Sequence, residues 1–143
     1  MIVNVNTLEA AEMGGGLSVT FPFSSATGMA ASAAVYIVLE PDGVLPEHTD
    51  SAEEWLLVLE GEVEATVGGQ TVTLTEGDLA WVPAIAPHSA VNKSDGQVRI
   101  LGFFAASTNV AQFTEPLDDA GTQTLVVGAA PGIVLPVPQP VAA

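Results

Sequence analysis

The chain predicts an all-β fold, an antiparallel sandwich or barrel, on three observations. Short apolar and β-branched runs recur at roughly 8–12-residue spacing, the rhythm of such folds. Turn chemistry separates them, at Pro41-Asp42-Gly43, Glu60-Gly61, Gly68-Gly69, Thr75-Glu76-Gly77-Asp78 and Lys93-Ser94-Asp95-Gly96. Residues 62–67 alternate, with Val63, Ala65 and Val67 on one face and Glu62, Glu64 and Thr66 on the other, which is the period of a half-buried strand.

Taken in order, residues 1–16 alternate weakly and end in Gly14-Gly15-Gly16, an extended arm or short edge strand followed by a joint. Residues 17–23 predict a strand, and Pro22 confines it to an edge or a terminus. Residues 24–28 form a loop. The alanines of 30–34 allow a helix, but Val35, Tyr36, Ile37 and Val38 favour a pleated surface, so residues 30–40 predict a strand. Residues 55–59 are apolar on both faces, as in a sandwich core or under an oligomer interface. Gly68-Gly69 is a two-residue hairpin signal joining 62–67 to 71–74. Residues 79–82 make a short strand stopped by Pro83, and strands follow at 88–92 and 98–104. Beyond Ala106 the pattern weakens: 108–112 predict a short helical turn or coil, and 125–127 a late strand. Residues 131–143 hold four prolines and no charge, and predict an extended tail lying on this subunit or a neighbour.

The length of 143 residues suits one domain, and 48% hydrophobic residues supply a core. No apolar run approaches the ~18 residues of a spanning helix, and residues 1–16 lack the basic and apolar regions of a signal peptide, so the expected compartment is the cytoplasm. The absence of cysteine removes disulfides, thiolate ligands and thiol nucleophiles. Seventeen acidic residues face only Lys93 and Arg99, for a net charge of −15. Such a surface repels phosphate backbones and anionic lipid, which argues against nucleic-acid and membrane partners. It also leaves few Arg or Lys forks to hold a multiply charged substrate.

The chemistry concentrates between residues 42 and 92. The only two histidines, His48 and His88, both lie here, each close behind a proline and beside a strand-like run. His48 and Asp50, two apart, point the same way on an extended segment. Glu54 opens the next strand and can turn inward, and the strand opened by His88 is expected beside the one carrying Glu54. Two imidazoles with one or two carboxylates suit a divalent first-row ion, and the oxygen donors favour Fe(II) or Mn(II) over copper, with Ni or Zn also accommodated. Alternation places Leu56 and Val58 inward with Glu54, and Trp55, Leu57 and Leu59 outward. Val63, Ala65, Val82 and Phe104 are further candidates for lining an apolar cavity. Trp55 and Trp81 read as packing residues. Glu54, if unligated, and Tyr36, if its strand faces in, are the candidate catalytic acid–base groups. Asn92 reads as structural, holding the turn before Asp95-Gly96.

These residues resemble the two motifs of the cupin family. The first runs glycine, five residues, H-x-H, three or four residues, glutamate, six residues, glycine; here His48-Thr49-Asp50 is followed at that spacing by Glu54 and Gly61. The second runs glycine, five residues, P-x-G, two residues, histidine, three residues, asparagine; Gly77, Pro83, His88 and Asn92 match without gaps. The resemblance covers roughly residues 30–105. It implies a single-domain jelly-roll β-barrel over 30–106, with an N-terminal arm and edge strand over 1–29 and a C-terminal extension over 107–143. It also implies a homodimer and a divalent metal ion at His48, Asp50, Glu54 and His88. Three positions depart from the pattern. Asp50 replaces the second histidine, Asp42 stands at the opening glycine with Gly43 one place on, and Ile85 replaces the glycine of P-x-G. Isoleucine tolerates positive φ badly, so that turn is expected to take another geometry. The function implied is a metal-dependent enzyme on a small neutral or weakly anionic organic molecule. Dioxygenase chemistry is favoured, isomerase or lyase chemistry stands second, and a non-catalytic small-molecule-binding cupin is the alternative of another class.

Overall fold

The computed structural model describes residues 1–128. Two six-stranded sheets face each other, and every strand pair is antiparallel. In chain order the strands are β1 (Ala11–Gly14), β2 (Leu17–Phe23), β3 (Ala33–Leu39), β4 (Val44–Asp50), β5 (Glu54–Glu60), β6 (Glu62–Val67), β7 (Gln70–Thr75), β8 (Leu79–Val82), β9 (His88–Val91), β10 (Val98–Phe104), β11 (Asn109–Phe113) and β12 (Thr124–Val127). One sheet runs β1-β2-β3-β10-β5-β8 and the other β12-β11-β4-β9-β6-β7. The all-β jelly-roll expectation holds. No helix among the described residues is long and apolar enough to cross a membrane.

The core forms where the two inner faces meet. Leu39, Val58, Val63 and Val98 are fully buried there, and Ile37, Ile100, Phe104 and Phe113 pack around them. Burying one such side chain contributes about 1.5–3 kcal/mol. The inward reading of Val58, Val63, Ala65, Val82 and Phe104 is met by burial, with Leu56 half-buried against the same cluster. Residues 33–39 are a strand rather than a helix, paired on both sides by β2 and β10. Asn92 holds its turn as expected: its Nδ2 donates to the carbonyls of Leu39, Glu40 and Gly96, and its Oδ1 accepts from the Ser94 amide and hydroxyl.

Several expectations need correction. Residues 108–112 are not a helical turn or coil; β11 pairs with both β4 and β12. Its inward positions are Asn109, Ala111 and Phe113, and a polar and a small residue on the buried face hide the alternation. The extended segment expected around His48 and Asp50 runs further, as a strand over residues 44–50 that accommodates Pro46. Residues 24–28 hold a 3-10 turn capped by the Ser24 hydroxyl. Ile85 does not escape the glycine geometry: its φ is 68°, in the left-handed region, and its side chain stands largely in solvent. Asp42 takes the same region at φ 65°, which aspartate tolerates better. Trp55 and Trp81 lie side by side across β5 and β8 on the outer face, 44% and 66% exposed, with Trp55 turned outward as its alternation with Glu54 requires. The proline-rich tail lies outside the described residues.

Candidate metal centre

A bulge in β4 builds the centre. Leu45 lies opposite Ala90, yet His48 lies opposite His88, so β4 spends three residues where β9 spends two. Pro46 and Glu47 occupy that irregularity. A proline gives up no ladder donor at a bulge, and the extra residue reverses the side-chain parity beyond it. Without it Glu47 would follow Leu45 inward. With it Glu47 is exposed while His48 and Asp50 are buried. The imidazoles of His48 and His88 then sit side by side, ring centroids 4.1 Å apart, and Phe113 of β11 stacks on His48 at 4.8 Å.

Both imidazoles are held in the same way. His48 Nδ1 lies 2.8 Å from the Pro46 carbonyl and His88 Nδ1 lies 2.9 Å from the Ala86 carbonyl. A carbonyl only accepts, so each Nδ1 carries a hydrogen and each Nε2 is the nitrogen turned towards the cluster. His88 Nε2 lies 3.1 Å from Asp50 Oδ2, His48 Nε2 lies 3.6 Å from that oxygen, and Glu54 Oε2 is 3.5 Å from His88 Nε2. Asp50 Oδ2 and His88 Nε2 are buried and make no properly angled hydrogen bond among the described residues. The attraction between them is therefore one of charge rather than of a formed hydrogen bond.

The ligand atoms of His48, Asp50 and His88 lie within 4.8 Å of one another, and these three are the compact set. Donors about 2.1 Å from a common ion sit roughly 3.0–3.4 Å apart at adjacent positions; the 3.1 Å between His88 Nε2 and Asp50 Oδ2 falls within that range, and the 3.6 Å between His48 Nε2 and the same oxygen lies just outside it. Glu54 joins the set through His88 from the opposite sheet. Its strand pairs with β8 and β10, not with β9 as the sequence led us to expect. Gly102 of β10 makes room for it: a Cβ there would stand 2.7 Å from Glu54 Oε1.

Tyr36 does not join them. It lies between Val35 and Ile37, which line the cavity, and so faces the other side of β3. Its hydroxyl accepts a 2.7 Å hydrogen bond from Arg99 Nε, and the guanidinium also reaches the Val5 carbonyl and the Asn6 side chain. Asn109 was missed in the sequence. Its Nδ2 donates to Asp50 Oδ1 at 2.7 Å, and both groups are buried.

Burial and charge set the protonation states. Burial works against a charged Asp50, but attraction to the His48 and His88 imidazoles beside it and the Asn109 donor prevail and hold its carboxyl well below the usual range. Burial raises Glu54, and the neighbouring Asp50 charge adds to it against the pull of His88. Burial would lower His88, yet the adjacent Asp50 and Glu54 carboxylates and the Ala86 carbonyl outweigh it and push the imidazole up to about 10. In the metal-free protein, then, a proton on His88 stands between the carboxylates.

A narrow cavity admitting water over about 50 Å³ opens beside the cluster, walled by Val19, Phe21, Val35, Ile37, Phe104 and Leu125 with His48 and Asp50 at one side. Neither basic side chain takes part. Lys93 pairs with Glu64 at 2.9 Å on the surface, and Arg99 is committed to Tyr36, Glu60 and the N-terminal segment.

A family profile described as "Cupin domain" matches residues 35–104. Among solved structures, the Schizosaccharomyces pombe Cnp3 cupin domain is 17% identical, with a TM-score of 0.64 and 72% of each chain covered. An RmlC-like cupin from Shewanella frigidimarina is 25% identical, with a TM-score of 0.60, over 71% of this chain and 86% of that one. The polyketide cyclase RemF from Streptomyces resistomycificus is 20% identical, with a TM-score of 0.63, over 73% of this chain and 78% of that one. No curated protein matches the chain in sequence.

Proposed function

We propose that this chain, which belongs to the cupin family, is a metal-dependent enzyme acting on a small neutral or weakly anionic organic molecule, with oxygenase chemistry as its reaction. The observation that carries the reading is the convergence of three ligand atoms, His48 Nε2, Asp50 Oδ2 and His88 Nε2, two of them buried without a hydrogen-bond partner. Two histidines and a carboxylate with open positions is the donor set of non-haem Fe(II) sites. Fe(II) or Mn(II) is favoured, with Ni or Zn accommodated, and the ion supplies redox or Lewis-acid chemistry when bound. His48 and His88 hold it through Nε2 and Asp50 through Oδ2.

Glu54 is assigned the proton. Burial and the neighbouring Asp50 charge raise its carboxyl above the ordinary carboxylate range at the edge of the cluster, which suits a group that gives or takes a proton. The same placement favours the second reading, an isomerase or lyase in which Glu54 moves a substrate proton. Tyr36 has no part in either. The cavity walls are apolar, so substrate binding rests on desolvation, with orientation set at the metal end.

A homodimer accompanies this reading. Leu79 and Trp81 on the edge strand β8 are exposed, with Trp55 beside them, and Trp55 stacks on Phe103 at 4.3 Å. That aromatic face supports self-association, shifted towards β8 from the Trp55, Leu57 and Leu59 face expected from sequence.

Metal content of protein prepared without added metal, followed by oxygen uptake across catechols, diketones and flavonols, tests the function. Stoichiometric Fe or Mn with uptake is expected. Metal without uptake moves the reading to isomerase or lyase chemistry, and a protein that binds no divalent ion is a small-molecule binder instead.

A further inference from the structure

We infer that Asn109 is the positioning residue of the centre: it consumes one oxygen of Asp50 and thereby points the other at the two imidazoles. The inference rests on the metal-centre reading above. Asn109 is fully buried on β11, just beyond the point where Ala111 pairs with Asp50. Its Oδ1 accepts from the Ala52 amide at 3.0 Å and from the Ser51 hydroxyl at 3.3 Å. A backbone N–H needs an acceptor, so the side-chain amide cannot be turned over without facing NH₂ to N–H. Its Nδ2 must therefore face Asp50, and it donates to Oδ1 at 2.7 Å. Oδ2 is the oxygen left over, the one 3.1 Å from His88 Nε2 and 3.6 Å from His48 Nε2.

The need for such a residue follows from what aspartate lacks. Each histidine is oriented by its own Nδ1–H on a carbonyl two residues back. A carboxylate has two equivalent oxygens, no donor, and a soft terminal torsion. An outside donor has to choose between the oxygens, and Asn109 does for Asp50 what the Pro46 and Ala86 carbonyls do for the imidazoles. Outer partners of this kind change metal affinity by roughly 10–100-fold.

Mn(II) dissociation constants for the wild type, Asp50→Ala, Asn109→Ala and the double variant decide it. Asn109→Ala should weaken Mn(II) by roughly 10–100-fold in the wild-type background and by less than about twofold when Asp50 is already alanine. Equal losses in both backgrounds would mean that Asn109 only supports the fold, and an unchanged constant in the single variant overturns the inference outright. If Asn109→Ala does not fold by circular dichroism, Asn109→Asp replaces it. Its carboxylate still accepts from the Ala52 amide but offers Asp50 no donor, and the same two outcomes apply. The wild-type arm stands apart: no Mn(II) binding there removes the centre itself, and the inference with it.

Discussion

Metal binding to this centre should expel a proton from His88, and the count is set by the carboxylates beside it. An imidazole of ordinary pKa near 6.5 carries only about 0.2 proton at pH 7. His88 is pushed up to about 10, so at pH 7 it is fully protonated. A metal ion requires its Nε2 lone pair, so about one proton must leave per ion bound. Glu54, also raised, adds to the release wherever it is still protonated. The apparent affinity should then rise about tenfold per pH unit across the neutral and mildly alkaline range. Calorimetric titration with Mn(II) in two buffers of different ionisation enthalpy reads the proton count directly. The sign for stability runs opposite. A His88 pKa raised in the folded state stabilises the metal-free protein fully below about 6.5, and that contribution is lost as pH climbs towards 10. The metal-free Tm should fall over that range while the metal-loaded Tm holds. A release near 0.2 proton at pH 7, or an affinity flat with pH, would refute the reasoning.

Three further outcomes follow from particular contacts. Gly102→Ala drives a Cβ to 2.7 Å from both Glu54 Oε1 and Val35 Cγ1, and overpacking of that kind costs about 1–3 kcal/mol; calorimetry should show a lower Tm, and an unchanged one would mean that Glu54 moves freely. Ile85→Gly removes an isoleucine from φ 68°, and relief of about 1–3 kcal/mol against roughly 0.4–1 kcal/mol of unfolded-chain entropy should leave the variant more stable in urea; a destabilised variant would show that Ile85 packs rather than strains. Trp81→Glu should turn a dimer into a monomer by light scattering with the circular dichroism spectrum unchanged, and a wild type already monomeric at micromolar concentration would refute the aromatic-face dimer.

The sheets were legible because their strands alternate openly or are punctuated by glycine turns, as from Glu62 to Leu74. His48, Asp50 and His88 were legible because histidine occurs nowhere else in the chain. What hid was whatever broke the simple period. Pro46 cannot donate to a regular ladder, yet it sits in the bulge that turns His48 inward, so the residue that breaks the period also aims the imidazole. β11 carries Asn109 on a buried position, and a polar residue there reads as coil until its partner is known. That partner, Asp50, is 59 residues away along the chain, a separation at which no local pattern reports a pairing. Ile85 shows the reverse error. Propensity predicted that isoleucine would refuse the left-handed region, but the Ile85 amide donates to the Asp50 carbonyl and the Ala86 amide to the Pro83 carbonyl, and together they hold the turn.

The charge balance of the buried cluster bears on what the site can accept. Without metal, the proton on His88 offsets the Asp50 carboxylate, which lets a buried pair exist without an uncompensated charge. A divalent ion replacing that proton meets one negative charge from Asp50 while Glu54 stays neutral, and two once Glu54 ionises. The site is then left with one positive charge or none. Neither Lys93 nor Arg99 is free to add another. A monoanion bound through oxygen to the ion fits the first state. A dianion leaves a net negative charge inside walls that are almost wholly apolar, where isolated charge costs several kcal/mol. Substrates of one negative charge should therefore bind better than their doubly charged analogues, and Glu54→Gln, which fixes the neutral state, should keep the first class and still discriminate against the second. Equal affinity for a monocarboxylate and its dicarboxylate analogue, measured by calorimetry on the metal-loaded protein, would show that the cavity draws on a cation from elsewhere.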